Sequence, residues 1–259
     1  MQEAGIRVIF GVEGLKVHAK LTHIGSSRGD IACVSTGNFH EGNARTYTDV
    51  ALLTADRRLT REVERVFEFI RQPARPFAFD HLVVSPRDMR RKLNALIADE
   101  ARRARQGEEA YILAKVNHIT DAKLIRRLYA AAAVGVRLRL LVRGNCSIVA
   151  SAHDRGRIEI RGIIDRYLEH SRILIFGHGG DERIYIGSAD WMTRNLDNRV
   201  EAYAPVYDEA VRRELRRIVD EGLADNVAAR VVDGTGDNLL YDDGRPPRRS
   251  QQRLYEHYR

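Results

Sequence analysis

The sequence predicts an α/β fold made of two similar halves. Segments with the apolar alternation of β-strands take turns with segments whose apolar residues recur at helical spacing, which is typical of α/β domains. A second observation is a repeated motif, since a histidine with a cation two residues later occurs at His18 and again at His170, 152 residues further on. We expect each half to contribute one copy of the motif to a common site for an anionic substrate.

The repeat extends well beyond the two histidines. Lys20 aligns with Arg172, and Asn38 in a Ser-Thr-Gly-Asn turn aligns with Asp190 in a Gly-Ser-Ala-Asp turn. The same shift, without a gap, places Phe39 on Trp191, Asn43 on Asn195 and Asp49 on Glu201. A repeat of this length predicts two halves with the same internal layout.

The first half is assigned to residues 1–80. Short runs bounded by turn residues predict strands over 6–10, 17–24, 30–35 and 50–53. A helix follows, because apolar residues share one helical face from Leu59 to Ile70, and Pro73 lies just past its end. The chain opens almost directly on the strand at 6–10, so this half is expected to be N-terminally incomplete, with an exposed strand edge there.

The second half is assigned to residues 81–259. Ser85 is expected to cap a helix that has Pro86 at its first position and ends at Gly107, and Thr120 is expected to cap a helix through Ala133. Strands are predicted over 111–116, 136–142, 157–164, 172–176 and 183–186, with a further helix over 208–221. Residues 234–249 are rich in Gly, Asp, Pro and Arg and predict a mobile loop, followed by a short helix.

Composition narrows the class of protein. The chain has 259 residues, 44% of them hydrophobic, which indicates a globular protein. No apolar run approaches the ~20 residues of a membrane helix, and the first residues do not resemble a signal peptide. Cys33 and Cys146 lie far apart and predict reduced thiols in a cytoplasmic protein. The net charge of +7 fits a polyanionic partner.

The histidine motif fits phosphoryl chemistry. Residues two apart on a strand point to the same face, so His18 and Lys20 would face one substrate. A neutral imidazole can take a phosphoryl group as a nucleophile, while Lys20 and Asn38 would hold non-bridging oxygens. His170 would act as acid or base at the opposite side, and Arg172 beside it would help to bind the phosphate groups of the substrate. Either histidine alone would more simply be a hydrogen-bonded strand residue, but their repetition favours a catalytic pair.

These residues carry a resemblance to known families. The His-x-Lys and Gly-x-Asn layout is similar to the phospholipase D superfamily, whose members pair two such motifs at one site. The amino-acid sequence around the motifs resembles that of bacterial polyphosphate kinases of the long-chain-synthesising type. Five signatures of that family are matched in order, at Gly14–Lys20, at Ser35–Phe39 with Tyr47–Asp49, at Leu141–Ser147, at Asp165–Arg172 and at Gly187–Asn195.

The resemblance implies a reaction. Polyphosphate kinases move the terminal phosphate of ATP onto polyphosphate through a phosphohistidine, which His18 matches by its position in the motif. Tyr47, Arg143 and His170 match positions that bind the nucleotide. Magnesium is expected to arrive with ATP, because the sequence shows no metal-ligand cluster. The expected partners are ATP or ADP and inorganic polyphosphate, without nucleic acid, and either another copy of the chain or the missing N-terminal part. Peripheral association with a membrane surface is left open.

Two alternatives stay open at this level. A phosphodiesterase of the phospholipase D type is one, although Arg172 stands where that pattern has lysine, which favours the kinase. An inactive fragment that binds polyphosphate or nucleotide is the other, since known polyphosphate kinases are much longer than this chain. Arg143 follows an apolar strand, where ligands bind in α/β sheets, whereas Tyr47 could equally well pack on the sheet.

Overall fold

The computed structural model describes residues 2–9, 11–12, 14–150 and 156–259. In these residues the strands β1 to β14 are Lys16–Val17, Lys20–Ile24, Ile31–Ser35, Tyr47–Thr48, Ala51–Thr54, Val83–Ser85, Tyr111–Val116, Arg137–Val142, Ile158–Ile163, Leu168–Glu169, Ile173–Phe176, Arg183–Gly187, Arg199–Pro205 and Ala229–Val231. The helices α1 to α7 are Glu41–Thr46, Arg57–Arg71, Met89–Arg105, Ala122–Ala133, Thr193–Asp197, Glu209–Leu223 and Ser250–Tyr258. None of the described helices is both long and apolar enough to cross a membrane.

The large sheet belongs mainly to the second half. Its strands lie in the order β1-β13-β12-β11-β7-β8-β9-β14, and β6 pairs with β13 beside β1. Strands β7, β8 and β9 run parallel, and the neighbours β11, β12 and β13 are antiparallel. Helices α3 and α4 cover one face, with Leu93 and Leu128 in its core, while α6 covers the other through Leu215 and Val219. The result is a three-layered α/β structure.

The first half is built on a smaller antiparallel sheet in the order β2-β3-β5. Helix α2 covers one face of it, because its buried stripe, including Val63 and Val66, packs on Ala32 and Val34. The same hydrophobic cluster contains Val200 of β13. The two halves therefore share a core at their junction.

The 152-residue repeat is reproduced in three dimensions. Under this shift α2 has the same bounds as α6 and β3 the same bounds as β12. Strand β1 pairs in parallel with β13 through Lys16 and Arg199, and β10 pairs in parallel with β4 through Leu168 and Tyr47, which is the same pairing with the halves exchanged. The predicted α/β fold of two repeated halves is confirmed, and each half lends a short strand to the other.

The halves differ in what covers their outer face. Phe176 of β11 is buried in the cluster that contains α3 and α4, whereas its counterpart Ile24 is 55% exposed. Leu53 on the same face is 70% exposed. Counterparts of β7, β8, α3 and α4 are not found beside β2 among the described residues, and β2 forms one edge of its sheet there. The first half thus has an exposed apolar face on its sheet, whereas the equivalent face of the second half is buried.

Several local predictions were wrong. Residues 6–9 form no strand and are largely exposed, and Phe10 lies outside the described residues. The strand predicted over 17–24 is interrupted at His18 and Ala19, whose backbone N–H groups both donate to Val200 O before the chain turns to pair with β3. This interruption is where the first half crosses from one sheet to the other.

The predicted helix caps were displaced by long-range pairing. Ser85 lies in β6, opposite Glu201, and α3 begins only at Met89. The helix over 122–133 is capped by Asp121, whose carboxylate accepts from Leu124 N, instead of by Thr120. Strand β13 pairs with β1, β6 and β12. It was not predicted, because its sequence contains charged residues and a proline although the strand is almost wholly buried. Residues 234–249 contain no helix or strand, and the predicted helix after them is α7.

Candidate active site at the junction of the halves

His18 is held by a carboxylate from the other half. Its Nδ1 lies 2.9 Å from Oε2 of Glu201, which is completely buried in β13. The same carboxylate accepts hydrogen bonds from Ser188 and, over 2.6 Å, from Asn195 Nδ2. Because a carboxylate only accepts, His18 donates from Nδ1, and its lone pair is on Nε2. No hydrogen bond from the described residues reaches this Nε2, and the His18 side chain is 27% exposed.

His170 repeats the arrangement with one difference. Its Nδ1 lies 2.9 Å from Asp49 Oδ1 of the first half, and Thr36 Oγ1 donates to that carboxylate over 2.7 Å. The Nε2 of His170, however, lies 3.0 Å from Arg172 Nη1, which can only donate. Burial lowers the pKa of His170, so its ring is neutral at pH 7 with both nitrogens engaged. The two repeated histidines therefore differ, because Nε2 of His170 has a hydrogen-bond partner and Nε2 of His18 has none among the described residues.

Two acids of the site, Asp49 and Asp190, stay ionised. Although burial alone would raise the pKa of Asp49, hydrogen bonds from His170 and Thr36 hold it below its ordinary value. Burial likewise works against ionisation of Asp190, but the charge and hydrogen bonds of Arg172 lower its pKa. These carboxylates are all engaged with side chains of the site, so the described residues offer no carboxylate here that is free to bind a metal ion.

Two cations complete the half-sites. Lys20 Nζ donates to the carbonyl oxygen of His18 over 2.6 Å, and Arg172 Nη1 makes the repeat-equivalent bond to His170 O over 2.7 Å. Burial lowers the pKa of Lys20 to about 8, with Glu201, Arg172 and Asp49 also acting on its charge. Arg172 Nη1 also donates to Thr36 O of the first half over 3.2 Å, so the two half-sites are in direct contact.

The lowered pKa of Lys20 predicts a pH dependence of anion binding. The ammonium form exists below about pH 8 and is lost above it. We expect the affinity for pyrophosphate, measured at constant ionic strength, to fall by at most about tenfold between pH 7 and 9, as one charge-assisted hydrogen bond is lost. A Lys20→Arg variant keeps its charge over this range and should give a flat profile. An inflection near the ordinary lysine value of 10.5 would contradict the assignment.

Tyr47 and Arg143 lie beside His170. The Tyr47 and His170 ring centroids are 4.9 Å apart, with the planes tilted by 53°. Arg143 follows β8 at the carboxyl end of the parallel strands, where its Nε donates to Asn117 Oδ1 over 2.7 Å. Burial, then the charge of Arg172, lowers the pKa of Arg143. In the described part of the chain its terminal nitrogens make no hydrogen bond, so they can receive an anionic group.

Asn38 is placed differently from its counterpart Asp190. Asn38 is exposed in the turn after β3, and among the described residues its side chain forms no hydrogen bond. Asp190 is buried and accepts from the backbone N–H of Asn117 and from Arg172. Asn38 is thus available to a ligand, whereas Asp190 holds the scaffold of the second half-site.

Some residues of the site were not assigned from the sequence. Asp49 and Glu201 were noted only as aligned positions, although two acids at equivalent places were a usable signal for a pair of orienting groups. Asn117 and His118 follow β7 without any motif to mark them. His118 Nδ1 accepts from Asn145 N over 2.9 Å, and its pKa is lowered by burial. Only the three-dimensional structure brings these two residues to the rim of the site.

Comparisons with known proteins identify the family to which the chain belongs. Residues 1–76 match the family model described as polyphosphate kinase C-terminal domain 1, and residues 82–252 match C-terminal domain 2. The chain belongs to the polyphosphate kinase family. The first matched segment carries His18 and the second carries His170, so the candidate site of this chain lies between the two matched segments. The resemblance drawn from the five signatures is thereby confirmed.

Comparisons with individual proteins support the same family. The chain is 44% identical to the polyphosphate kinases of Vibrio cholerae and Escherichia coli over 263 aligned residues, covering 99% of this chain and 38% of each relative. It therefore spans less than half the length of these curated polyphosphate kinases. The crystal structure of polyphosphate kinase from Porphyromonas gingivalis superposes with a TM-score of 0.91 at 37% identity, over 99% of this chain and 41% of that one. A phosphatidylserine synthase from Haemophilus influenzae, 9% identical with a TM-score of 0.56, shares the fold alone, over 93% of this chain and 68% of that one.

Proposed function

We propose that this chain is the catalytic region of a polyphosphate kinase, transferring the terminal phosphate of ATP to polyphosphate through a phosphohistidine at His18. The observation that carries the proposal is the unequal state of the two imidazoles. His18 Nε2 has a lone pair and no hydrogen bond from the described residues, on a side chain that is 27% exposed, whereas His170 Nε2 is bonded to Arg172. A nucleophile needs the first arrangement and not the second.

The reaction then has two balanced steps. His18 Nε2 attacks the terminal phosphorus of ATP, so that a nitrogen–phosphorus bond forms as the bond to the ADP oxygen breaks. The ring gains positive charge, which the Glu201 carboxylate at Nδ1 stabilises. A terminal oxygen of polyphosphate next attacks the same phosphorus, the nitrogen–phosphorus bond breaks, and His18 returns neutral with its proton still on Nδ1.

The surrounding cations supply positioning and charge. Phosphoryl transfer depends mostly on these two contributions. Lys20 and Arg172 would contact the transferred group from the two halves, and the free end of Arg143 would hold the phosphates of the nucleotide. Tyr47 lies against the His170 ring, where a nucleotide could contact both rings. His170 would support this binding while it keeps its hydrogen bond from Arg172.

Magnesium does not fit the protein groups of the site as a resident ion. Asp49, Asp190 and Glu201 are all committed to His170, Arg172 and His18 respectively. We therefore propose that magnesium enters on the phosphates of ATP, and no step above is assigned to it.

A phosphodiesterase of the phospholipase D type is less well supported. That reaction needs a second histidine as an acid towards the leaving group. Here Arg172 donates to the only ring nitrogen of His170 that could serve, which argues for transfer to a phosphate acceptor instead. An inactive binding fragment would use the same cations without the open His18.

Labelling with ATP carrying a radioactive terminal phosphate tests the proposal. The chain, given magnesium, should gain label that is stable in base and labile in acid, and polyphosphate should then remove it. A His18→Gln variant should remain unlabelled, while His257→Ala, which changes an exposed histidine of α7, should label normally. Polyphosphate binding without any labelling would show an inactive fragment, and metal-independent hydrolysis of a bis-aryl phosphate would show a phosphodiesterase. Either result overturns the proposal.

A further inference from the structure

A second cluster of ligand-bearing side chains lies away from the active site. His23 on β2, Asp30 just before β3 and Glu64 on α2 each bring one nitrogen or oxygen atom to within 4.8 Å of the others. His23 is three residues from Lys20 and so points to the opposite face of β2, about 10 Å further along the strand. The cluster is therefore separate from the catalytic groups.

The histidine of this cluster lacks a hydrogen-bond partner. His23 Nε2 is buried and makes no hydrogen bond within the described part of the chain, and its side chain is 15% exposed. The nearest carboxylate oxygen, Asp30 Oδ2, is 3.7 Å away, too far for a hydrogen bond. Buried polar groups are normally satisfied, and a metal ion bound between this nitrogen and the two carboxylates would satisfy all three groups.

We propose that His23, Asp30 and Glu64 form a binding site for a divalent transition metal, with zinc as its best occupant. One imidazole nitrogen with two carboxylate oxygens, completed by water, is a donor set that zinc accepts in tetrahedral geometry, whereas magnesium and calcium prefer oxygen ligands alone. Ligand distances of about 2.0–2.2 Å place neighbouring donors about 3.3 Å apart, close to the His23–Asp30 separation.

The two acids can complete this geometry. Glu64 is exposed and forms neither an ion pair nor a hydrogen bond with the described residues, so its side chain is free to move inward. Asp30 is oriented through its other oxygen, Oδ1, which faces the backbone N–H of Ser26 at 3.4 Å. Such outer contacts direct a ligating carboxylate towards its metal.

A metal here would stabilise the first half. It would join the tip of the β2–β3 hairpin to α2, across the one face of this small sheet that a helix covers. Strand β2 also carries Lys20 and is an edge strand in the described structure, so it has few other restraints. This inference concerns stability and does not depend on the proposed function.

Zinc titration of the metal-stripped chain tests the site. Competition with a fluorescent zinc chelator should show one zinc per chain with a dissociation constant in the micromolar range or tighter. Zinc at a hundredfold excess over that constant should raise the thermal unfolding midpoint by about 5–10 °C. His23→Ala, Asp30→Asn and Glu64→Gln should each weaken binding at least tenfold, and Glu64→Gln should leave folding unchanged because the side chain is exposed.

Matched controls separate this site from other histidines. His40→Ala, which changes an exposed histidine of the same half, and His18→Ala, which removes the active-site imidazole beside Glu201, should both retain the zinc. Absence of saturable binding overturns the proposal. Wild-type binding by Glu64→Gln and Asp30→Asn, or loss of binding in His18→Ala, would also overturn it by placing the zinc elsewhere.

Discussion

Replacing Glu201 by glutamine is expected to lower the rate of His18 phosphorylation by about 10²–10⁴-fold without unfolding the chain. The Glu201 carboxylate accepts hydrogen bonds from His18, Ser188 and Asn195. While Asn195 keeps its orientation and donates to the amide oxygen, the NH₂ group faces the hydroxyl of Ser188, which can rotate, and also His18. The imidazole must accept there, so its proton moves to Nε2 and the nucleophilic lone pair is lost. Rapid quenching after addition of labelled ATP measures the rate.

The repeat supplies a matched control for this experiment. Asp49→Asn makes the same change of carboxylate to amide at the position equivalent to Glu201, but it acts on His170. Since the proposed nucleophile is His18 and not His170, we expect a loss of His18 labelling of at most about tenfold at saturating ATP. Equal losses in the two variants would show that the histidines are equivalent, contrary to the asymmetry described above.

Removing the guanidinium of Arg172 should have the largest effect on stability. Arg172 and Asp190 are both buried, and their side chains meet at 3.2 Å. Truncation to alanine leaves the Asp190 charge buried without its partner, which typically costs about 3–5 kcal/mol. We expect the free energy of unfolding in urea to fall by this amount.

An Arg172→Lys variant is the control for charge. It restores a lysine like that of the first half and should lose clearly less stability than Arg172→Ala. Because lysine lacks the planar fork, it should also release His170 Nε2. A loss below about 1 kcal/mol in Arg172→Ala would mean that the pair is effectively solvated, as surface ion pairs are.

The sequence predicted the elements whose pattern is local. The strand Tyr111–Val116 and the two helices related by the repeat were located because their apolar residues are continuous or recur at helical spacing. Strand β13 escaped because its Glu201 resembles a solvated residue, yet it is fully buried as the acceptor for three side chains. Ser85 was misassigned as a helix cap because a strand partner distant in sequence outweighs a local capping pattern.

The candidate site, too, could be predicted from the sequence only in part. The repeat alone singled out His18, His170 and the cations that follow them, because spacing on a strand fixes which residues share a face. The difference between the two imidazoles could not be derived from it. That difference depends on Glu201 and Asp49 crossing from opposite halves and on the reach of the Arg172 side chain. Only the assembled junction of the two halves contains this information.

The most direct test of the central claim is to locate the phosphate on the phosphorylated chain by phosphorus NMR and peptide mass spectrometry. The hydrogen bond from His18 Nδ1 to Glu201 predicts a single phosphate on His18, bonded to Nε2. A phosphate on His170, or on Nδ1 of His18, would contradict the account.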